Sequence, residues 1–372
     1  MRQTYIGIAT AFAILAAAAF AQQGPYKVVK TAKTGGLGGF DYIYADTAAR
    51  RLYIPRGAVQ GDTPVAPRVT VFDLDTLEMV GTVPNIRANG AAVDAKSGHG
   101  FASSKPVAMW DTKTLALIKS IEIDPKSSPD GIMADAFNQR IYVFSHPTAD
   151  ATVIDAKDGT VLGTIDLGGA PEEAVSDGKG KIYVVIQDKS NVAVIDAKTM
   201  KVTAHYDFAE QASRCNGLAL DAKNHILFAA CGQSGNPPVT PPKPTMVILN
   251  AETGKLITTL PLAGSSDGAE FNPATMEVFS THGNGTMTIV KENSPTSFTV
   301  EQDLQTMAGA KTITLDSKTN RLLTMAAEFG PAPAPPPPPP VGAAPPPAGR
   351  GGGRGGRGPM LPDSFTILVV GK

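Results

Sequence analysis

The sequence predicts an all-β fold, a seven-bladed β-propeller built from four-stranded antiparallel blades. Three observations carry that expectation: a segment that recurs seven times at a period of about 41 to 51 residues, four short β-rich runs inside each copy, and an N-terminal run that completes the last copy.

Each copy opens with a small-residue stretch ending in Asp or Asn, at Asp46, Asp94, Asp135, Asp177, Asp221, Asn272 and Asp316. A second, apolar run follows after a few turn-forming residues: RLYIP from Arg51, RIYVF from Arg140, KIYVV from Lys181, HILFA from His225, RLLTM from Arg321. The third run ends in Asp or Asn in five copies, at Asp73, Asp111, Asp155, Asp196 and Asn250. A fourth, alternating run closes the unit, as in TVLGTIDL from Thr160 and KLITTLPL from Lys255. D-x-K, D-G and N-G turn signals separate the runs, which therefore read as an antiparallel meander. One such sheet cannot bury both of its faces, so the copies must stack, and the radial way to stack them is a propeller.

The seventh copy has only three runs, the last being FTILVV from Phe365. YKVVKTAKT, Tyr26 to Thr34, precedes the first copy and resembles a fourth run, so it is expected to fill the outer position of the last blade. Closure of that kind removes a free sheet edge. A propeller of this length is one domain, here residues 22–372, and a monomer is expected.

A formal net charge of −1 gives no global attraction to nucleic acid or anionic lipid. Residues 1–21 read as a secretory signal peptide: Arg2, an apolar stretch from Tyr5 to Phe20, and Ala19-Phe20-Ala21 as a small-x-small site with cleavage after Ala21. The stretch is short for a membrane span, so the mature chain is expected to be periplasmic or secreted without a span. Both cysteines, Cys215 and Cys231, fall in the fifth copy. A hairpin turning around Ala222 to Asn224 sets Asn216 opposite Cys231 with Cys215 one step away, so a structural disulfide is expected, worth about 3 kcal/mol in the chain-entropy model.

The last blade carries a Pro/Gly/Arg-rich insertion at 331–362, PAPAPPPPPP followed by RGGGRGGRGP, which reads as a disordered polyproline-II and glycine segment. Arg350, Arg354 and Arg357 sit in an R-G-G setting, but three arginines in an exported chain read as a solvated loop rather than a nucleic-acid site. All three long insertions, Arg56 to Pro67, Gly232 to Pro244 and Gly330 to Pro362, join second to third runs and therefore decorate one face. In a repeat protein that is the expected binding face.

Five positions before each opening Asp or Asn lies the start of the inner strand, at the mouth of the central channel. Those positions hold Asp41, Asn89, Asp130, Glu172, Asn216, Asp267 and Lys311, all polar. Lys311 falls between Asp267 and Asp41 around the ring and can neutralise both. On the other side Asn89, Asp130, Glu172 and Asn216 are consecutive, and adjacent acids repel unless protonated or bridged by a cation. Such hard oxygen ligands suit Ca²⁺ or Mg²⁺. The competing reading is that Asp or Asn before Gly caps a turn at a solvated mouth.

Other chemistry is sparse. His146 and His282, at the ends of second strands, can reach the decorated face, whereas His99 and His225 fall in turns of the opposite face. No H-x-H, H-E-x-x-H or C-x-x-C spacing supports zinc or covalent haem, and Ser145 and Ser213 lack a G-x-S-x-G setting. Trp110 reads as a core residue of blade two.

RLYIP, RIYVF and KIYVV, with ATVIDA and VAVIDA strands and T-x-K-V or T-G-K-L continuations, resemble the YVTN-type repeat. The chain looks like a member of the YncE-like secreted bacterial β-propellers. The resemblance implies an extracytoplasmic propeller that serves binding or scaffolding. The first expectation for function is thus a binding protein whose ligand is a protein, a glycan or a small molecule. The alternative is a divalent-metal-dependent hydrolase resembling gluconolactonase-type propellers, with Asn89, Asp130, Glu172 and Asn216 as ligands.

Overall fold

The computed structural model describes residues 24–61, 63–234, 243–331 and 358–372. The segment read as a signal peptide, most of the insertion at 232–244 and the central part of the Pro/Gly/Arg tract lie outside the described residues.

The described residues form seven four-stranded antiparallel sheets. Blade three shows the plan: an inner strand Pro129–Asp135, then Arg140–Ser145, Asp150–Asp155 and an outer strand Val161–Asp166. The recurring acids that mark the repeat hold its turns. At the end of the third strands Asp73 Oδ1 accepts from the amides of Asp75 (3.0 Å) and Thr76 (2.8 Å), and Asp111 Oδ1 accepts from Lys113 (3.0 Å) and Thr114 (2.7 Å). An Asx turn of this kind satisfies amides that a hairpin tip otherwise leaves to water.

Blade seven closes the ring as the sequence predicts. Its order from the outside is Lys27–Lys33, Thr366–Gly371, Arg321–Ala326 and Ile313–Asp316, with Lys27 opposite Gly371. Tyr26 latches the N-terminal strand onto blade six. Its amide donates to Gln302 Oε1 (2.9 Å), its carbonyl accepts from Gln302 Nε2 (2.9 Å), and its hydroxyl donates to buried Glu277, which also accepts from Lys372 Nζ (2.9 Å).

Among the described residues the core is divided into seven apolar clusters, each lying between two successive blades. Tyr53 and Trp110 meet between blades one and two, Phe101 and Ile141 between two and three, and Tyr142 and Ile182 between three and four. Tyr183 and Leu227, then Phe228 and Phe271, continue through blades five and six. Tyr26 with Phe279 and Phe40 with Phe365 complete the circle on either side of blade seven. Because side chains in a strand alternate between faces, the nearly continuous apolar second and third strands serve two clusters at once. Trp110 is fully buried, and its ring lies over Gly100 on the adjacent strand, where a Cβ would collide with the indole.

Cys215 and Cys231 are disulfide-bonded. They face each other directly across the blade-five hairpin, a one-residue difference from the register expected from sequence. Asn216 is displaced by a β-bulge between Cys215 and Gly217, and the bulge absorbs the extra residue.

Both long loops with described stems continue their hairpins. Val59 bridges Val65 in blade one, and Phe329 bridges Met360 at the base of the Pro/Gly/Arg tract, where Gly330 N donates to Pro359 O (2.8 Å). Among the described residues no helix is long and apolar enough to cross a membrane.

Candidate functional site at the channel mouth

The inner strands of blades two to six each carry a β-bulge at their start: between Ala88 and Ala91, Pro129 and Ile132, Pro171 and Ala174, Cys215 and Gly217, and Ser266 and Gly268. These bulges contain Asn89, Asp130, Glu172, Asn216 and Asp267. A bulged residue leaves the ladder and is re-aimed, so each blade turns one polar side chain toward the axis. The Asx-Gly pairs therefore mark bulges rather than turns. Their glycines serve close approach: a Cβ on Gly217 would lie 2.8 Å from Ala269 N, and one on Gly268 would lie 3.1 Å from Thr312 Cα of the next inner strand.

The ring divides into two carboxylate pairs. Lys311 Nζ stands between Asp267 Oδ2 (2.7 Å) and Asp41 Oδ1 (3.0 Å), bridging blades six, seven and one. The second pair, Asp130 and Glu172, faces His146 instead. His146 Nε2 lies 3.6 Å from Asp130 Oδ2 and 3.4 Å from Glu172 Oε1. The expected amide flanks are engaged sideways: Asn89 Nδ2 donates to Asp130 Oδ1 (2.8 Å), while Asn216 Oδ1 accepts from Gln187 Nε2 (2.7 Å), which also donates to Glu172 Oε1 (2.7 Å). Of the four proposed oxygen ligands, then, Asp130 and Glu172 converge, and Asn89 and Asn216 lie in an outer layer.

His146 and Gln187 lie outside the inner-strand column because they come from second strands. Each directly follows the last residue of its strand, Arg140–Ser145 in blade three and Lys181–Ile186 in blade four, so the two align in the repeat. His146 is within the sequence's expectation for the decorated face, and aligning this second column with it finds Gln187. His282 ends its strand too, but it is buried, its Nδ1 pairs with Thr286 Oγ1 (2.9 Å), and burial lowers its pKa to about 4.

Burial and crowding raise the Asp130 and Glu172 carboxyls. Glu172, only 9% exposed, is pushed up to about 9, first by burial and then by Asp130, Asp41 and Asp267, with Lys311 opposing. Asp130 is also raised, by burial and Asp41, against the pull of His146, Asn89 and Lys311. Two adjacent carboxyls in a low-dielectric recess favour the binding of a proton or another cation.

Below the mouth the channel holds a cavity of about 340 Å³ lined by Met133, Glu172, Glu173, Glu270 and Thr314 of the inner strands and by Tyr42, just ahead of the blade-one inner strand. Glu173 Oε2 accepts from the amides of Leu218 (2.8 Å) and Ala269 (3.0 Å), tying blade four to blades five and six. Burial raises Glu173 to about 8 and Glu270 to about 7.

Fold and mouth together define a seven-bladed β-propeller with an acidic central channel. No family model matches the chain. It is similar to the uncharacterized protein YncE of Salmonella typhi, to which it is 21% identical over 198 residues, a match covering 51% of this chain and 54% of that one. The same protein of Salmonella typhimurium matches equally. The chain thus spans about half the length of these relatives. Solved propellers share the fold alone. The WD40 repeats of RRP9 align with a TM-score of 0.68 at 8% identity over 94% of this chain and 100% of that one. A chain of the mitotic checkpoint complex aligns with a TM-score of 0.66 at 11% identity over 87% and 95%.

Proposed function

We propose that the protein is an extracytoplasmic, non-catalytic binding propeller that receives a cation or a cation-bearing ligand at the mouth of its channel. One observation carries the reading. The ring holds two carboxylate pairs, and Lys311 shows how one of them is satisfied, with an ammonium nitrogen 2.7 and 3.0 Å from its two acids. The other pair, Asp130 and Glu172, opens on the face that carries the long loops and is backed by Glu173 and Glu270 inside the channel. A ligand cation placed there offsets the burial and crowding that raise both carboxyls. The apolar N-terminal run with its Ala19-Phe20-Ala21 site, and a disulfide in a chain with no other cysteine, support export.

Isothermal titration with a fluorescence-quiet cationic probe, such as spermidine or a short oligolysine peptide, tests this reading. Saturable binding that weakens at least tenfold in Asp130→Asn/Glu172→Gln, but not in Asp75→Asn on the opposite face, is the expected result. Equal affinity in all three proteins would remove the mouth as the site. The hydrolase alternative is favoured by one feature, the imidazole beside two carboxylates. It requires turnover of a lactone or phosphoester by the metal-treated protein, which a substrate panel reads directly.

A further inference from the structure

We infer that Asp130, His146 and Glu172 form a site for a divalent transition-metal ion of the imidazole-accepting class, such as Zn²⁺, Co²⁺ or Mn²⁺. The inference rests on the proposed cation-binding role and names the cation. One donor atom from each residue lies within 4.8 Å of the other two. The spacing matches that of ligands around an ion. With metal–nitrogen and metal–oxygen bonds of about 2.0 to 2.2 Å, donors on a tetrahedron stand about 3.3 to 3.6 Å apart. His146 Nε2 lies 3.4 Å from Glu172 Oε1 and 3.6 Å from Asp130 Oδ2.

A second, independent observation points the same way. His146 Nε2 is itself shielded from solvent, although the side chain is 35% exposed, and it makes no hydrogen bond while aimed between two carboxylates. A buried ring nitrogen without a partner is uncommon, and a metal ion supplies one. The surroundings hold the donors in place. Asn89 fixes Asp130 through Oδ1 and leaves Oδ2 toward His146, while Gln187 grips Glu172 and is itself braced by Asn216. Outer hydrogen bonds of this kind orient ligands in metal sites. The nitrogen donor separates this inference from the expectation of Ca²⁺ or Mg²⁺, because those ions take oxygen ligands. Three protein donors leave coordination positions open toward the decorated face, where a ligand's carboxylate or hydroxyl can complete the sphere.

The test uses untagged protein freed of metal by chelation, titrated with Zn²⁺, Co²⁺, Mn²⁺, Ca²⁺ and Mg²⁺ and followed by calorimetry and thermal unfolding. The expected result is one equivalent of Zn²⁺ or Co²⁺ per chain, a raised unfolding midpoint, and no comparable effect of Ca²⁺ or Mg²⁺. Affinity should fall at least tenfold in His146→Ala and in Glu172→Gln. If a variant folds poorly, the visible absorption of Co²⁺ bound to wild-type protein still decides the matter, since a mixed nitrogen and oxygen sphere of low coordination number gives intense bands and hexaaqua Co²⁺ does not. Absence of saturable binding by any of the three transition ions overturns the inference, as does a His146→Ala variant that binds them as tightly as wild type. If spermidine or oligolysine still binds in an Asp130-dependent way while the metals fail, the metal site falls and the cation-binding role stands. If neither binds, both fall.

Discussion

The ring closes through a small set of contacts, and Gln302→Ala tests them directly. Gln302, 2% exposed, caps both the amide and the carbonyl of Tyr26 at 2.9 Å, across the junction between blade six and the N-terminal strand. Truncation to Ala leaves two buried backbone groups without these partners. Each such group costs about 1 to 3 kcal/mol, so the variant should lose about 2 to 6 kcal/mol. With an unfolding entropy of about 2.1 cal/mol/K per residue over a domain of about 350 residues, the midpoint should fall by about 3 to 8 °C. Scanning calorimetry and urea unfolding of the disulfide-intact protein measure both quantities. Asn293→Ala, an exposed change in the same blade that removes only a bond to Thr299, should move stability by less than about 0.5 kcal/mol. A Gln302→Ala loss below about 1 kcal/mol would refute the argument that Tyr26 and Gln302 latch the ring.

Reducing the Cys215–Cys231 bond should lower stability by about 3 kcal/mol, read as a lower unfolding midpoint with dithiothreitol and no further effect of the reductant on Cys215→Ala/Cys231→Ala. Gly100→Ala should destabilise by about 1 to 3 kcal/mol or more, because its methyl meets the buried Trp110 ring. Its near-ultraviolet circular dichroism should report a disturbed indole. Arg50 joins Asp316 of blade seven (2.7 Å) to Asp75 of blade one (2.6 Å). Burial alone would raise the Asp316 carboxyl, but its bonds from Arg50 and Thr319 hold it below the ordinary value. A carboxyl lowered in the folded state contributes stability above its unfolded pKa of about 3.9, and loses it as pH falls through the folded value. The stability difference between wild type and Asp316→Asn should therefore be full at pH 7 and shrink below about pH 4.

Periodicity made the architecture legible because every blade repeats the same local problem: an inner strand, bulged in blades two to six, two apolar strands shared between neighbouring cores, and an Asx turn. Asp73 and Asp111 announce turns through side-chain oxygens that accept from amides two and three residues on, bonds that are local in sequence. Tyr26 to Thr34 was recognisable as the missing strand because alternation survives separation from its blade. The mouth was half legible. Counting back from the opening acids finds Asp130 and Glu172, since the ring is one column of the repeat. His146 and Gln187 belong to another column, and only packing brings the two columns to one point. The bulges were hidden for a different reason. Asx-Gly has the same composition in a turn and in a bulge, and the distinction depends on the neighbouring inner strand that approaches Gly217 and Gly268. The same hidden residue explains the one-step error in the register of Cys215 against Cys231.

The bulges also separate two kinds of change. A residue that has left the ladder contributes little to strand pairing, so Asn89, Asp130, Glu172, Asn216 and Asp267 can each be exchanged for another polar side chain while the blade behind it keeps its pairs. Each blade thus carries one letter of a short circular inscription around the axis, written on the scaffold rather than woven into it. Rewriting the inscription one blade at a time would give propellers of the same shape with different charge patterns at the mouth.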